Sequence, residues 1–227
     1  MNRTIVLDAR LQALAAQVGV CENYADIGCD HGRLGAYLLS TGRVQRAALT
    51  DISADSLKKA RWLIDRIGLN DRVDFRVGDG VLALETAPEA AVIAGMGGAT
   101  IAQIIRQGRE QLGGARLILQ PNVAAPELRR ALMECGYAIT DEQVVPEGRR
   151  LYVVIAAAPG RAEYDERQLT VGPVLLQKLP STLKPYADFR LRVAKKALNG
   201  AIRGEDAGQA ALLQREIEIW EAVRACL

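Results

Sequence analysis

The chain has 227 residues, of which 49% are hydrophobic and 25% are charged, and its formal net charge is only +2. This is the composition of a globular protein with one sizeable core, and no apolar run is long enough to span a membrane. The four cysteines are scattered and His31 is the single histidine, which argues against a zinc cluster and excludes a multi-histidine metal site. Because residues 1–4 open no apolar segment with a cleavage site, we expect no secretory signal. We therefore expect a cytoplasmic protein with reduced thiols, no metal ion and no membrane association.

Predicted helices and strands alternate along the first two thirds of the chain. A leading amphipathic helix ends at Gly19, the segment 20–24 enters a strand, and 33–39 opens a helix. Further strands are predicted at 46–51, 72–77, 90–94 and 116–120, separated by helices at 54–67, 99–109 and 126–135. Short connections between alternating strands and helices predict a parallel sheet that is covered on both faces.

The end of this alternating region differs from its beginning. Strands predicted near 137–145 and 150–157 have only a short turn between them, so we expect an antiparallel hairpin. The expected fold class is therefore α/β, a doubly wound, mostly parallel Rossmann-like sheet with an antiparallel last strand. Such a sheet resembles the class I S-adenosylmethionine-dependent methyltransferase fold more than a dinucleotide-binding domain. Pro159-Gly160 marks the expected boundary between domains over 1–159 and 160–227.

The second domain is predicted to be helical. Apolar residues recur at intervals of three and four over 183–201 and again over 213–227, which indicates a coiled-coil-like antiparallel helical hairpin that turns near Gly204. A further short helix is expected within 164–180. Residues 178–203 carry seven basic residues against Asp188 alone. This excess could bind a polyanion, or it could be an ordinary solvated helix face.

Glycines and polar residues follow five of the predicted strands. They form the segments Asp26–Gly32, Asp51, Gly78–Gly80, Gly95–Gly98 and Gln120–Asn122. Any one of them could be a turn, but together they predict a ligand site at the carboxyl edge of the sheet. Asp51 is placed to accept hydrogen bonds from ribose hydroxyls, which fits a nicotinamide enzyme equally well. However, Asp30 stands where the second glycine of G-x-G-x-x-G belongs.

Four of these segments carry a specific resemblance. Asp-Ile-Gly-Cys-Asp-His-Gly, Gly-Asp-Gly, Ile-Ala-Gly-Met-Gly-Gly and Leu-Ile-Leu-Gln-Pro-Asn occur in this order, and together they resemble the bacterial tRNA (adenine-N1)-methyltransferase family that modifies adenine 22. The resemblance implies S-adenosyl-L-methionine as cofactor and tRNA as partner. It assigns the cofactor site to Asp26, Gly28, Asp30, Asp51, Ile52, Gly78, Asp79, Gly80, Gly95, Met96 and Gly97.

The implied reaction is an in-line methyl transfer to a ring nitrogen, which needs alignment more than acid–base catalysis. The candidate catalytic residues are Asp30 and Asn122, with His31 as an orienting group, although His31 could equally cap the following helix. The hairpin is expected to bind tRNA phosphates. Its candidate RNA-binding residues are Lys184, Arg190, Arg192, Lys195 and Lys196. We expect the protein to act as a monomer.

Other functions remain open from the sequence alone. A class I methyltransferase could act on another RNA, a small molecule or a protein, although a small substrate would not need a basic hairpin. A nicotinamide-dependent oxidoreductase is disfavoured by Asp30, and a non-catalytic RNA-binding module by the retained Asp51 and Asp79.

Overall fold

The computed structural model of the protein describes residues 5–227, so the segment 1–4, on which the expected absence of a secretory signal depends, lies outside the described residues. A seven-stranded sheet forms the centre of the first part of the chain. Its strands are β1 (Cys21–Ile27), β2 (Val44–Asp51), β3 (Val73–Val77), β4 (Ala90–Met96), β5 (Arg116–Pro121), β6 (Tyr137–Glu147) and β7 (Arg150–Pro159). They lie side by side in the order β3-β2-β1-β4-β5-β7-β6.

The sheet has a parallel part and an antiparallel edge. Strands β1 to β5 pair in parallel, whereas β7 runs antiparallel to both β5 and β6. This confirms the predicted doubly wound sheet with an antiparallel last strand. The strand order reverses direction between β1 and β4, and a crevice opens beyond the carboxyl ends of parallel strands at such a point.

Six helices accompany the sheet in the described part of this region. They are α1 (Ala9–Val18), α2 (Arg33–Ser40), α3 (Ala54–Arg66), α4 (Gly98–Gln107), α5 (Arg109–Leu112) and α6 (Ala125–Glu134). Helices α1, α2 and α3 share one hydrophobic cluster with the sheet, and this cluster includes Ala90 and Val92 of β4. The alternate residues Ala91 and Ile93 are also fully buried, so both faces of the strand are covered.

Strand β4 is longer than the predicted segment 90–94 because a glycine allows it to continue through a bulge. Gly95 has φ +78°, a conformation that glycine adopts without steric cost, and the register with β5 shifts between Ala94 and Met96. Met96 then pairs with Pro121. The bulge brings the end of β4 beside the segment that follows β5.

The chain divides into two compact units, and the second spans Tyr164–Leu227. The predicted boundary at 159/160 falls at the end of β7, a few residues before this division. The second unit contains α7 (Glu166–Val171), α8 (Pro173–Lys178), α9 (Leu183–Arg203) and α10 (Ala207–Ala225). Helices α9 and α10 pack against each other and the chain turns between them after Gly204, which confirms the predicted hairpin.

The core of this hairpin follows the apolar repeat. Its buried residues are Leu183, Tyr186, Ala187, Leu191 and Ala194 on α9 and Leu213, Ile217, Trp220 and Val223 on α10. The ring of Trp220 meets that of Tyr186 edge-on, with centroids 5.5 Å apart. The single short helix expected within 164–180 is instead two helices, because Gly172 has φ +122° and Pro173 lacks the N–H that a continuing helix would use. No helix within residues 5–227 is long and apolar enough to cross a membrane.

Candidate active site

A cavity of about 650 Å³ lies at the carboxyl edge of the parallel strands. The carboxyl ends of β1, β2 and β4 and the segments after β1, β2 and β3 line it, as the sequence predicts, together with residues of α1, α2 and α4. The predicted site residues that line it are Asp26, Gly28, Asp30, His31, Asp51, Ile52, Gly78, Asp79, Gly80, Gly95 and Met96. Gly97 and Asn122 are not among the lining residues, so these two assignments need a separate structural reason.

The loop after β1 is held to β2 by backbone hydrogen bonds. The amides of Gly28 and Cys29 both donate to the Thr50 carbonyl, at 2.8 and 3.0 Å. Gly28 has φ +72°, and a Cβ at this position would overlap the end of the Met96 side chain. The left-handed backbone conformation is what favours glycine here, because the flexible end of the Met96 side chain can move away from an added Cβ.

The carboxylate of Asp51 is fixed by two backbone donors. Its Oδ1 accepts from the amide of Ser53 at 2.8 Å, and its Oδ2 accepts from the amide of Asp30 at 3.1 Å. Asp30 itself has φ +48°, an uncommon conformation for a residue other than glycine. Asp30 is therefore part of the architecture of the loop, because its backbone amide holds the Asp51 carboxylate in place.

Asp26 is the buried acid of the site, with 6% of its surface exposed. Burial raises the pKa of Asp26 to about 7, and the nearby charge of Asp51 acts in the same direction, against a hydrogen bond from the Gly35 backbone. Burial likewise raises the pKa of the neighbouring Cys29 thiol, so Cys29 is not an activated nucleophile.

The Gly-Asp-Gly segment after β3 faces the same cavity. The amide of Gly78 donates to the Asp51 carbonyl at 3.1 Å, and the Thr50 hydroxyl donates to the Gly80 carbonyl at 3.3 Å. Between the two glycines the carboxylate of Asp79 is exposed, at the start of a short 3₁₀ helix over Gly80–Ala83. Asp79 is thus free to accept a hydrogen bond from a ligand.

Asn122 supports the end of β4. Its Nδ2 donates to the Gly95 carbonyl at 2.7 Å, and its backbone amide donates to the Met96 carbonyl at 2.7 Å. Its Oδ1 accepts from Gln120 Nε2 at 3.0 Å, so the orientation of the amide is set by its partners. These contacts give Asn122 a positioning role at the β4 bulge, and its direct contact with the substrate remains a prediction from the sequence.

The segments Gly97-Gly98 and Val123-Ala124 are packed backbone against backbone. The amide of Gly98 donates to the Val123 carbonyl at 2.8 Å, and a Cβ on Gly98 would overlap the Ala124 carbonyl. Ala124 has φ +58°. A Cβ on Gly97 would only touch Thr100 and Val123 at ordinary contact distance, so packing does not explain the glycine at this position.

Asp30 and His31 form an exposed rim. The Nε2 atom of His31 lies 3.5 Å from Asp30 Oδ1 and 3.2 Å from the Lys59 ammonium. The side chains of Asp30 and His31 are 74% and 49% exposed, so both are accessible to a substrate.

Helix α1 contributes residues that sequence reasoning missed. Arg10 lines the cavity, donates from Nη1 to Gln120 Oε1 at 2.9 Å and lies over the Tyr152 ring. Gln120 connects Arg10 to Asn122, because its side chain hydrogen-bonds to both residues. The sequence does contain a sign of this role, because Arg10 is a charged residue on the apolar face of the predicted helix, three residues after Leu7 and four before Leu14. Asp8 and Arg33 also line the cavity and lie 3.8 Å apart.

The basic face of the hairpin is smaller than the sequence suggested. Arg190 is half-buried and paired with Glu216 at 2.6 Å, so it belongs to the packing between α9 and α10 and is not available to phosphates. Lys195 pairs with Glu221 at 2.7 Å on the surface. The side chains of Lys184, Arg192 and Lys196 are exposed, and none of the carboxylates in the described residues pairs with them.

These features can be compared with known proteins. The family model named TrmK and described as tRNA (adenine(22)-N(1))-methyltransferase matches residues 24–222. The chain belongs to the TrmK family.

Relatives of the TrmK family support this membership. The tRNA (adenine(22)-N(1))-methyltransferase of Bacillus subtilis is 36% identical over 170 residues, which cover 73% of this chain and 71% of the relative. The crystal structure of the B. subtilis m1A22 tRNA methyltransferase TrmK has a TM-score of 0.88 at 28% identity and covers 97% of this chain and 99% of that one. A Streptococcus pneumoniae protein crystallised with S-adenosyl-L-methionine shares the fold, with a TM-score of 0.87 at 24% identity over 96% of this chain and 100% of that one.

Proposed function

We propose that this chain transfers a methyl group from S-adenosyl-L-methionine to N1 of adenine 22 in tRNA. The observation that carries the proposal is the convergence of the strand-end motifs on one cavity, in a chain that belongs to the TrmK family. The glycine loop, the Gly-Asp-Gly segment and the β4 bulge line this cavity, and the Gln-Pro-Asn segment supports it from behind. These motifs are the ones from which the family was predicted.

The hydrogen-bond acceptors around the cavity fit the cofactor. Gly28, with φ +72°, shapes the loop after β1, and Asp51 has a fixed carboxylate that we assign to the ribose hydroxyls. The exposed carboxylate of Asp79 suits the amino group of the adenine ring. Gly95 and Met96 would lie beside the sulfonium. When bound, S-adenosyl-L-methionine supplies an electrophilic methyl group.

The residues of the chain have mainly to align the substrate base. Adenine N1 already carries a lone pair, so no proton has to be removed before the transfer, and precise placement is the main requirement. The methylated ring is cationic, and we assign its stabilisation to the Asp30 carboxylate at the rim. His31 orients the base beside it. Arg10, Gln120 and Asn122 keep the β4 bulge in shape under the reacting atoms.

The RNA itself is bound through charge. We assign phosphate contacts on the second unit to Lys184, Arg192 and Lys196, with Lys195 contributing once it exchanges Glu221 for a phosphate. Such contacts fix position without reading sequence. The target base lies in a folded RNA, so it has to be extruded to reach the cavity.

A methyl-transfer assay on total tRNA tests this function. We expect incorporation of label from S-adenosyl-L-methionine and 1-methyladenosine after nucleoside digestion. An Asp51→Asn variant serves as the control, because it should bind tRNA but lose cofactor affinity. Absence of incorporation with folded, cofactor-binding protein would contradict the proposal.

Action as a monomer, independence of a metal ion and a cytoplasmic location remain predictions from the sequence. Adding a chelator to the same assay tests the independence of a metal ion.

A further inference from the structure

We propose that the outer face of α3 binds the tRNA substrate next to the cavity, through a stripe made of Lys59, Trp62 and Arg66. The inference rests on the proposed function, because it names the surface over which the tRNA reaches the catalytic rim. We call these three residues the α3 stripe. It lies on the sheet unit and is separate from the basic residues of α9.

The spacing of the three residues places them on one face of the helix. Positions i, i+3 and i+7 lie above one another, and the stripe covers about 10 Å along the axis at 1.5 Å per residue. The opposite face of α3 is buried through Leu57, Ala60 and Ile64. The stripe is therefore held on a rigid element and points away from the core.

The two cations of the stripe form no ion pair within the part of the chain that the structure describes. Among the described residues, no carboxylate pairs with Lys59 or Arg66. The acids of the same helix have other partners, since Asp55 pairs with Lys58 at 2.9 Å and Asp65 accepts from Asn70 at 2.7 Å. The stripe thus offers positive charge to a partner outside the protein.

Trp62 lies between these cations and is 60% exposed, although tryptophan is usually well covered in folded proteins. The Arg66 guanidinium lies 4.4 Å from the centroid of its ring. This contact fixes the ring without covering both of its faces. An alternation of cation, aromatic ring and cation is typical of surfaces that bind phosphates and stack an unpaired base.

The stripe is continuous with the catalytic rim. Its first residue, Lys59, contacts His31, which lines the cavity. The glycine loop also packs closely on α3, because a Cβ on Gly32 would lie 2.8 Å from the Cβ of Ala60. A polynucleotide whose base enters the cavity past His31 would therefore pass over the α3 stripe.

The tryptophan content of the chain allows a direct test. Only Trp62 and Trp220 are present, and Trp220 is 1% exposed, so quenching by acrylamide reports on Trp62. We expect saturating tRNA to protect the accessible fluorescence of the wild type at least twofold. The variant Trp62→Phe should lack the accessible component. Unchanged quenching in the presence of bound tRNA would overturn the proposal.

A charge variant gives an independent measurement. We expect Arg66→Gln to weaken tRNA binding several-fold and to lower the slope of log affinity against log salt by about one. The affinity for S-adenosyl-L-methionine should stay unchanged. Arg109→Gln, which removes an exposed cation from α5, is the matched control and should bind tRNA like the wild type. Equal binding by the two variants would count against the stripe.

The outcomes separate this proposal from the proposed function. If the wild type methylates tRNA but Trp62 stays fully accessible in the complex, the α3 stripe is wrong and the function stands. If tRNA protects Trp62 without any methylation, the stripe is supported and the function is contradicted.

Discussion

Asp26 combines burial with a carboxyl group, and this makes stability depend on pH. Its pKa is about 7 in the folded protein and about 4 in an unfolded chain. The folded state therefore keeps a proton that the unfolded state loses, and stability falls as pH rises from about 4 to about 7. Relative to Asp26→Asn, the wild type should lose roughly 2 kcal/mol of its free energy of unfolding between pH 5 and pH 7. Urea denaturation without cofactor measures this, and a pH-independent difference would contradict it.

His31 lies between Asp30 and Lys59 at the rim, where it can contact an incoming base. We expect His31→Ala to reduce kcat about tenfold or more, because the base would no longer be held in one orientation. The thermal midpoint should change little, since the side chain is half exposed. Single-turnover kinetics at saturating tRNA provide the measurement. Wild-type turnover in the variant would contradict this prediction, and His31 would then have only a structural role at the start of α2.

At the level of residues, sequence reasoning identified the cavity better than its supports. Asp51 ends β2 and Asp79 follows β3, and residues at the carboxyl ends of parallel strands face the ligand crevice. Local sequence alone was therefore enough to predict that both belong to the site. Arg10 was missed because its contact with Gln120 joins positions far apart in the chain. Arg190 was assigned to RNA because local charge does not reveal that Glu216 on the facing helix neutralises it.

Two glycines in helices test how an element positions the site. At Gly98, the first residue of α4, a Cβ would overlap the Ala124 carbonyl, so Gly98→Ala should displace the segment that carries Asn122. We expect turnover to fall tenfold or more with little change in cofactor affinity. Gly200, inside α9, has no atom within 4 Å of its added Cβ. As the control, Gly200→Ala should instead stabilise the protein by about 0.5–1 kcal/mol. Equal turnover in the two variants would contradict this positioning.

Helix α9 carries two kinds of basic residue that should behave differently. Changing Lys184, Arg192 and Lys196 to Gln should weaken tRNA binding and lower the salt slope by about one for each phosphate that is no longer bound. Stability should be unaffected, because the three side chains are exposed. Arg190→Ala should remove the ionic partner of Glu216, leaving only its hydrogen bond from Trp220, and destabilise the hairpin by about 2 kcal/mol. Binding isotherms at several salt concentrations, together with denaturation curves, distinguish the two. An unchanged salt slope in the triple variant would move the RNA-binding site to another surface.

The elements themselves were largely predictable, since periodicity identified the parallel strands and both long helices. Their ends were less predictable where glycine changes the backbone. Gly95 lets β4 continue through a bulge to Met96, and Gly172 with Pro173 divides the 164–180 segment into two helices. Both effects depend on conformations that the residue type permits but does not impose.

On the scale of the whole molecule, strand order explains why the site exists. β4 pairs with β1 although three strands precede it in the chain, and this brings the segments after β1 and β4 to one crevice. Local patterns specify the strands but not their order, because strand pairing joins distant parts of the chain. The doubly wound sheet that the resemblance implied agrees with the observed sheet and with the family model.

The proposed function requires methylation of one atom of one base. Two tRNA transcripts that differ only in adenine or guanine at position 22, incubated with the protein and S-adenosyl-L-methionine, provide the sharpest test of this requirement. We predict 1-methyladenosine and an arrest of reverse transcription at position 22 in the first transcript, and neither in the second. Equal methylation of both transcripts, or a methyl group on another atom or base, would be incompatible with the proposed function.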